Sequence, residues 1–368
     1  MIKFIATCSL LLMLVSMVMS SPTLSRSKRA SCTISGTSIS NVASVKSSCT
    51  NIVVKDLTVP AGKTLDLTSL KSGTTVTFQG TLTFAYHAWD GPLVSIGGNK
   101  VSVKRASNHV INGQGAKWWD GKGSNGGVKK PLMFQLYKLD HSTVENLYIK
   151  NSPRHTFSIT NCNNLTLSGT TIDNSDGDSN GGHNTDAFDV GQSNYVYIKN
   201  SKVYNQDDCL AVNSGTNYYF TNNYCSGGHG ISIGSVGGRN SNEVKNVEVA
   251  DCTIVNSDNG VRIKTIAGAT GVVSGITYKN IELKNVKQYG ITIRGDYQNS
   301  GATGTPTTGI PIRQVTFSNI HGTVKSSAVD IYVNIANGVA SSWSWKGIKI
   351  TGSSKSNVCR GIPSTVSC

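Results

Sequence analysis

The sequence has no basic run of the kind that grips nucleic acid. Its 34 Lys and Arg residues are spread along the chain against 20 Asp and Glu, for a formal charge of +14. Scattered cations leave two readings, a solvated basic surface or long-range attraction to an acidic polymer, and no nucleic-acid partner is expected. There is also no apolar stretch of membrane-spanning form. The run from Phe4 to about Met19 follows Lys3 and precedes the small residues Ser20 and Ser21. It is too short and wrongly flanked for a transmembrane helix and has the layout of a signal peptide. Finally, no linker, composition shift or low-complexity tract divides the chain, although its length would ordinarily suggest more than one domain.

The expected layout is therefore a signal peptide over residues 1–20, a short propeptide over 21–29 ending in Lys28-Arg29, and one domain over 30–368 of a secreted, extracellular protein. Removing residues 1–29 takes away Lys3, Arg26, Lys28 and Arg29 and no acid, so the charge falls from +14 to +10. Of the nine cysteines, Cys8 lies in the leader, leaving an even number for an oxidising compartment. Cys32 with Cys49, Cys209 with Cys225, and Cys359 with Cys368 are close enough in sequence to pair. Cys162 and Cys252 remain. Asn164-Leu165-Thr166 is a sequon, placing a candidate glycan on Asn164.

Short blocks rich in Val, Ile and Thr recur with Asn and Gly between them, as in Tyr195–Asn200, Val247–Cys252 and Ile276–Ile281. They read as strands. One phase aligns Ile159, Val190, Val212, Ile233, Ile263 and Ile293, at intervals of 31, 22, 21, 30 and 30 residues. The same phase aligns Phe157, Phe188, Leu210, Ile231, Val261 and Ile291. A repeat of roughly 20 to 50 residues marks a solenoid, propeller or array. Unequal intervals with several short strands per turn fit an all-β solenoid, a parallel β-helix of about ten coils, better than a sandwich or propeller.

In a coil, rungs stack roughly 4.8 Å apart, so equivalent residues become neighbours. The phase then sorts polar residues into columns. One holds His155, Asp186, Asp208, His229, Asn259 and Tyr289. A second holds Ser158, Asp189, Ala211, Ser232, Arg262 and Thr292, and a third Thr160, Gly191, Asn213, Gly234, Lys264 and Arg294. Asp186, Asp207 and Asp208 would share a small patch, where repulsion raises at least one pKa. One carboxyl then stays protonated while another is ionised, as glycoside hydrolysis requires. Strand alternation would turn Asp208 into the core beside Leu210, but Asn205-Gln206-Asp207-Asp208 reads as the turn before the strand. His229, between Gly228 and Gly230, can tune an acid's protonation. Asp, Asp and His lack a tight ligand spacing or a cysteine partner, so no metal and no cofactor are expected. Arg262 and Lys264 alternate with apolar neighbours, point outward and suit an anionic sugar. Arg294 falls one rung further, either bordering the cleft or solvated.

Asn184-Thr185-Asp186, Asp207-Asp208, Gly228-His229-Gly230 and Arg262-Ile263-Lys264, in this order, resemble the signature of the polygalacturonases of glycoside hydrolase family 28, and the fungal-type endo enzymes most of all. The likeness covers nearly the whole chain after the leader. It implies a right-handed parallel β-helix and inverting, metal-free hydrolysis of α-1,4-linked galacturonate in pectin. By the resemblance, Asp207 is the general acid, Asp186 and Asp208 activate water, and His229 supports the protonation state. Asn184, Arg262, Lys264 and Tyr297 would face the substrate. A monomer is expected, with polygalacturonate and proteinaceous polygalacturonase inhibitors as partners. Arg294-Gly295-Asp296-Tyr297 departs from the Glu-Gln-Asp-Tyr usual in fungal members. Two alternatives stay open, a non-catalytic pectin-binding or decoy protein and an exo-acting pectin hydrolase.

Overall fold

The computed structural model describes residues 32–368, so the expected signal peptide and propeptide lie outside the described residues. The chain winds as a right-handed parallel β-helix, the hand that parallel crossovers take almost without exception. One face is an eleven-stranded parallel sheet, and the remaining strands link into an eighteen-stranded one. The first sheet thus carries eleven rungs, against the ten or so expected.

The register is the one the repeat phase gives. Phe157 pairs with Phe188, Phe188 with Leu210, Leu210 with Ile231, Ile231 with Val261, and Val261 with Ile291. These residues line the core, because side chains alternate along a strand and only one side faces inward. Phe134, Phe157 and Phe188 stack on successive rungs with ring centroids 5.2 and 5.6 Å apart. At the N-terminal end the helix Val42–Ser48 buries Val42 and Val45, and Cys32–Cys49 ties it to the first coil. The other two expected disulfides, Cys209–Cys225 and Cys359–Cys368, are present, and Cys162 and Cys252 are buried free thiols.

Asparagine makes the corners. Asn200, Asn222, Asn256, Asn280, Asn285 and Asn319 all have φ between 52° and 57°, a left-handed conformation that Asn tolerates better than other non-glycine residues. Their amides then bond to the next coil: Asn222 Nδ2 donates to Asn200 Oδ1 at 2.8 Å, and Asn285 to Asn256 at 2.7 Å. The recurring Asn between strand blocks is therefore both a turn residue and an inter-coil tie. Asn164 is exposed at one such corner.

Candidate active site

The turn at Asn205-Gln206-Asp207 is fixed by its own side chains. Asn205 Nδ2 donates to the Thr185 and Asp208 carbonyls, both at 3.0 Å, and Gln206 Nε2 donates to the Asn174 carbonyl and Asp178 Oδ1, both at 2.8 Å. The strand Asp208–Val212 starts with a register shift between Asp208 and Leu210. As in other bulges, the extra residue re-aims a side chain: Cys209 and Leu210 both join the core, and Asp208 turns outward. Alternation fails at Asp208 as anticipated. The same bulge corrects one column, since Asp208 pairs with Gly230 and not with His229.

Asp208 is only 2% exposed and faces two cations. Ser232 Oγ donates to its Oδ1 at 2.9 Å, Arg262 Nη2 donates to the same oxygen, and Lys264 Nζ lies 2.9 Å from Oδ2. Burial alone would raise its pKa, but Arg262 and Lys264 hold it below the usual carboxylate range. The two cations expected to meet a substrate carboxylate are thus engaged by a carboxylate of the chain itself. Lys264 Nζ also sits 5.2 Å from the centre of the Tyr297 ring, which brings Tyr297 into the site.

His229 stacks on Asp207: its backbone N donates to the Asp207 carbonyl at 2.8 Å, and its Nδ1 lies 2.8 Å from Asp207 Oδ1. Gly228 permits this stacking, because a Cβ there would collide with the Asp207 carbonyl. Asn184 Nδ2 donates to the other Asp207 oxygen at 2.8 Å. The Asn184 amide is oriented from outside the coil, since its Oδ1 accepts from the Ser124 backbone N (2.9 Å) and Oγ (3.0 Å). Against the effect of burial, the His229 bond and the charges of His229, Lys264 and Arg262 hold the Asp207 carboxyl far below its usual range. The Asp207 carboxylate in turn raises the His229 pKa, although burial opposes it.

Asp186 stacks one rung below Asp208, as the Ala187 N to Asp208 O bond of 2.9 Å shows. Burial first, and then repulsion from Asp207, push its pKa well above the carboxylate range. One raised and two lowered carboxyls meet the expectation from repulsion. The environment therefore favours protonation at Asp186 over Asp207.

A trough gathers Asn184, Asp186, Asp207, Asp208, His229, Arg262, Lys264 and Tyr297. All eight expected site residues are therefore together. Two triads, His155 with Asp186 and Asp189, and Asp207 with Asp208 and His229, bring their ligand atoms within 4.8 Å. In each the imidazole serves as a counter-charge to the acids, and both Asp208 oxygens already face cations. Arg294 borders the continuation of the trough with Arg262, Lys264 and Tyr297, but it is not a free cation. Its Nε and Nη2 lie 2.9 and 3.0 Å from the two oxygens of buried Asp296, and it packs 5.1 Å from the centre of the Tyr332 ring. Sequence reasoning missed Ser124, which no spacing links to Asn184, and gave His155 and Asp189 no role although the columns held both.

The profile of glycosyl hydrolases family 28 matches residues 49–368. A polygalacturonase of Penicillium griseoroseum is 59% identical over 341 residues, covering 92% of this chain and 91% of that one. A protein described as a probable endopolygalacturonase I of Aspergillus flavus is 56% identical over 339 residues, 92% of each chain. Among solved structures, endopolygalacturonase I of Stereum purpureum, complexed with two galacturonates, superposes with a TM-score of 0.79 at 36% identity, covering 90% of this chain and 97% of that one. The chain belongs to glycoside hydrolase family 28.

Proposed function

We propose that this chain is an endo-polygalacturonase that hydrolyses α-1,4-galacturonosidic bonds of pectin with inversion, and that it is secreted as a monomer. The observation that carries the reading is the union, in one trough, of three buried carboxyls, whose surroundings push their pKa values in opposite directions, with the cation pair Arg262 and Lys264. An acid and a base are needed to cut a glycosidic bond, and a cation pair is needed to hold a galacturonate beside them. The identity to polygalacturonases over nine-tenths of the chain supports the substrate class.

The carboxyls titrate as a set, so the proton belongs to the cluster more than to one residue. Burial, and then repulsion from ionised Asp207, favour the proton on Asp186 before substrate binds. When a proton occupies Asp207, that repulsion vanishes and Asp186 can ionise. Asp207 then gives its proton to the glycosidic oxygen as the C–O bond breaks. Water attacks the anomeric carbon from the opposite face and passes its proton to Asp186, so that one water is consumed and the configuration inverts. His229 and Asn184 hold Asp207 in place from either side. A substrate carboxylate at Arg262 and Lys264 would compete with Asp208, which becomes freer to hold the water. Tyr297 lines the sugar path. No metal or cofactor enters this scheme.

Polygalacturonate digestion followed by viscosity and reducing ends together tests the reading. A steep viscosity fall with few new ends is expected, and the first product should appear as the β-anomer by NMR. A viscosity fall that merely tracks the new ends would instead make the enzyme exo-acting. Binding without any new ends would make it a pectin-binding protein. A mass decrease on enzymatic deglycosylation, mapped to Asn164, would establish the glycan proposed there.

A further inference from the structure

We infer that His155, anchored by Asp189, is a positioning residue whose positive charge keeps Asp186 available as the base. The inference rests on the reading of Asp186 given above. His155 occupies the turn before the strand Phe157–Thr160, and Asp186 the equivalent turn one rung on. The backbone ladder fixes this stacking, since Met133 N donates to the His155 carbonyl and Thr156 N to the Asp186 carbonyl. Asp189 lies between core residues Phe188 and Val190, so alternation turns it out toward the same ring.

His155 Nδ1 is 2.9 Å from Asp189 Oδ2, and Nε2 is 3.4 Å from Asp186 Oδ1. Only an imidazolium can present hydrogen to acceptors on both nitrogens. The two facing oxygens are buried and have no hydrogen-bond partner among the described residues, so the imidazole beside them is their ion-pair counterpart. Arg262 and Lys264 are engaged by Asp208. Arg154, next in the chain, donates to the Asp90 carbonyl. The remaining charged or titratable groups along this part of the trough are Asp207, Asp208, His183, His229 and Arg239. Burial and the charge of Arg154 would lower the His155 pKa, yet Asp189 and Asp186 together lift it to about 9. The cation is therefore present across the acidic range in which a carboxylate base titrates.

His155 lowers the Asp186 pKa, so its loss leaves Asp186 protonated up to a higher pH. His155→Gln should move the acidic limb of the kcat profile upward by about one pH unit, the size expected for a full charge a few ångströms away. The plateau rate should stay within a few-fold and KM within twofold. Asp189→Asn should move the limb in the same direction by less, and His155→Arg should bring it back toward wild type. Titration of the polymer's own carboxylates is common to all variants and cancels in the comparison.

An unmoved acidic limb with a uniformly lower rate would reduce His155 to packing and overturn the inference. A raised KM at constant limb would make it a substrate contact and overturn it equally. A limb that shifts in the Gln variant and is not restored by Arg also counts against a charge effect. Asp186→Asn, measured in parallel, separates the two levels. If it retains more than a tenth of the wild-type rate, the reading of Asp186 as base fails. If it is inactive while His155→Gln leaves the limb in place, only the present inference fails.

Discussion

Arg262 reaches back two rungs to Asp208, and Ser232 on the rung between completes the contact. Arg262 Nε donates to Ser232 Oγ at 2.8 Å, and Ser232 Oγ donates to the same Asp208 oxygen that receives Arg262 Nη2. The guanidinium thus braces three coils at the point where the acids converge. Arg262→Ala would leave a buried carboxylate with one of its two cations, and breaking such a pair costs about 3 kcal/mol or more. A lowered denaturant midpoint and a raised KM are expected together. Arg262→Lys keeps the charge and loses the fork, so its midpoint should recover more than its kcat/KM.

The pH dependence of stability has two opposite components. Asp208 has a folded-state pKa below its unfolded value, so its stabilisation is fully present above about pH 3.9 and is lost as pH falls through the folded value. His155 runs the other way: with its pKa raised to about 9, its stabilisation is fully present below about pH 6.5 and fades as pH rises through 9. Asp208→Asn should flatten the acid side of a melting-temperature profile and His155→Gln the alkaline side. Parallel curves for wild type and variants would contradict both assignments.

Asp207→Asn should keep the fold and oligogalacturonate binding while lowering turnover by about two orders of magnitude or more, because the amide has no acidic proton to deliver. The variant still offers acceptor and donor atoms to His229 and Asn184. Retention of more than a tenth of the wild-type rate in purified protein would remove Asp207 from the role of acid.

Cys162 and Cys252 should be silent to a thiol reagent in the native protein and both reactive after unfolding. Their Sγ atoms are buried against the carbonyls of Leu136 and Thr160, and of Phe220 and Ala250. Burial lifts their pKa values to about 11 and about 12, keeping the nucleophilic thiolate rare. A peptide map that links the two cysteines would contradict the coil register.

Arg294 is expected to matter for stability more than for substrate. Asp296 is 0% exposed and takes both guanidinium nitrogens, with Asn334 Nδ2 at 3.0 Å as a further donor. Arg294→Glu would set a second carboxylate against it, and a loss of about 3 kcal/mol or more follows. The KM for demethylated polygalacturonate should change little by comparison. A large KM effect with unchanged melting would return Arg294 to the substrate path.

The repeat phase was legible because a packed interior demands the same apolar alternation on every rung, and Ile159 through Ile293 declare it without ambiguity. The eight site residues followed from that phase and from family motifs. What stayed hidden depends on details that periodicity does not carry. The bulge after Asp208 moves one column by a residue. The Asn184 amide takes its orientation from Ser124, 60 positions away. The pairing of Arg294 with Asp296 joins two residues whose side chains leave one strand on the same side and close on each other. His155 stood in its column from the start, but a lone histidine gains meaning only when both ring nitrogens are seen to face carboxylates.

The stacked register has a consequence for how such a protein can change over generations. Each coil lends the trough only a few side chains and leans on the coils directly above and below. A replacement at Thr160 or Gly191, which line a neighbouring hollow with His155 and Asp189, would alter one rung and leave the rungs beyond it as they were. Taste for differently decorated chains can therefore be revised piecemeal, one floorboard at a time, without disturbing the joinery that holds the acids.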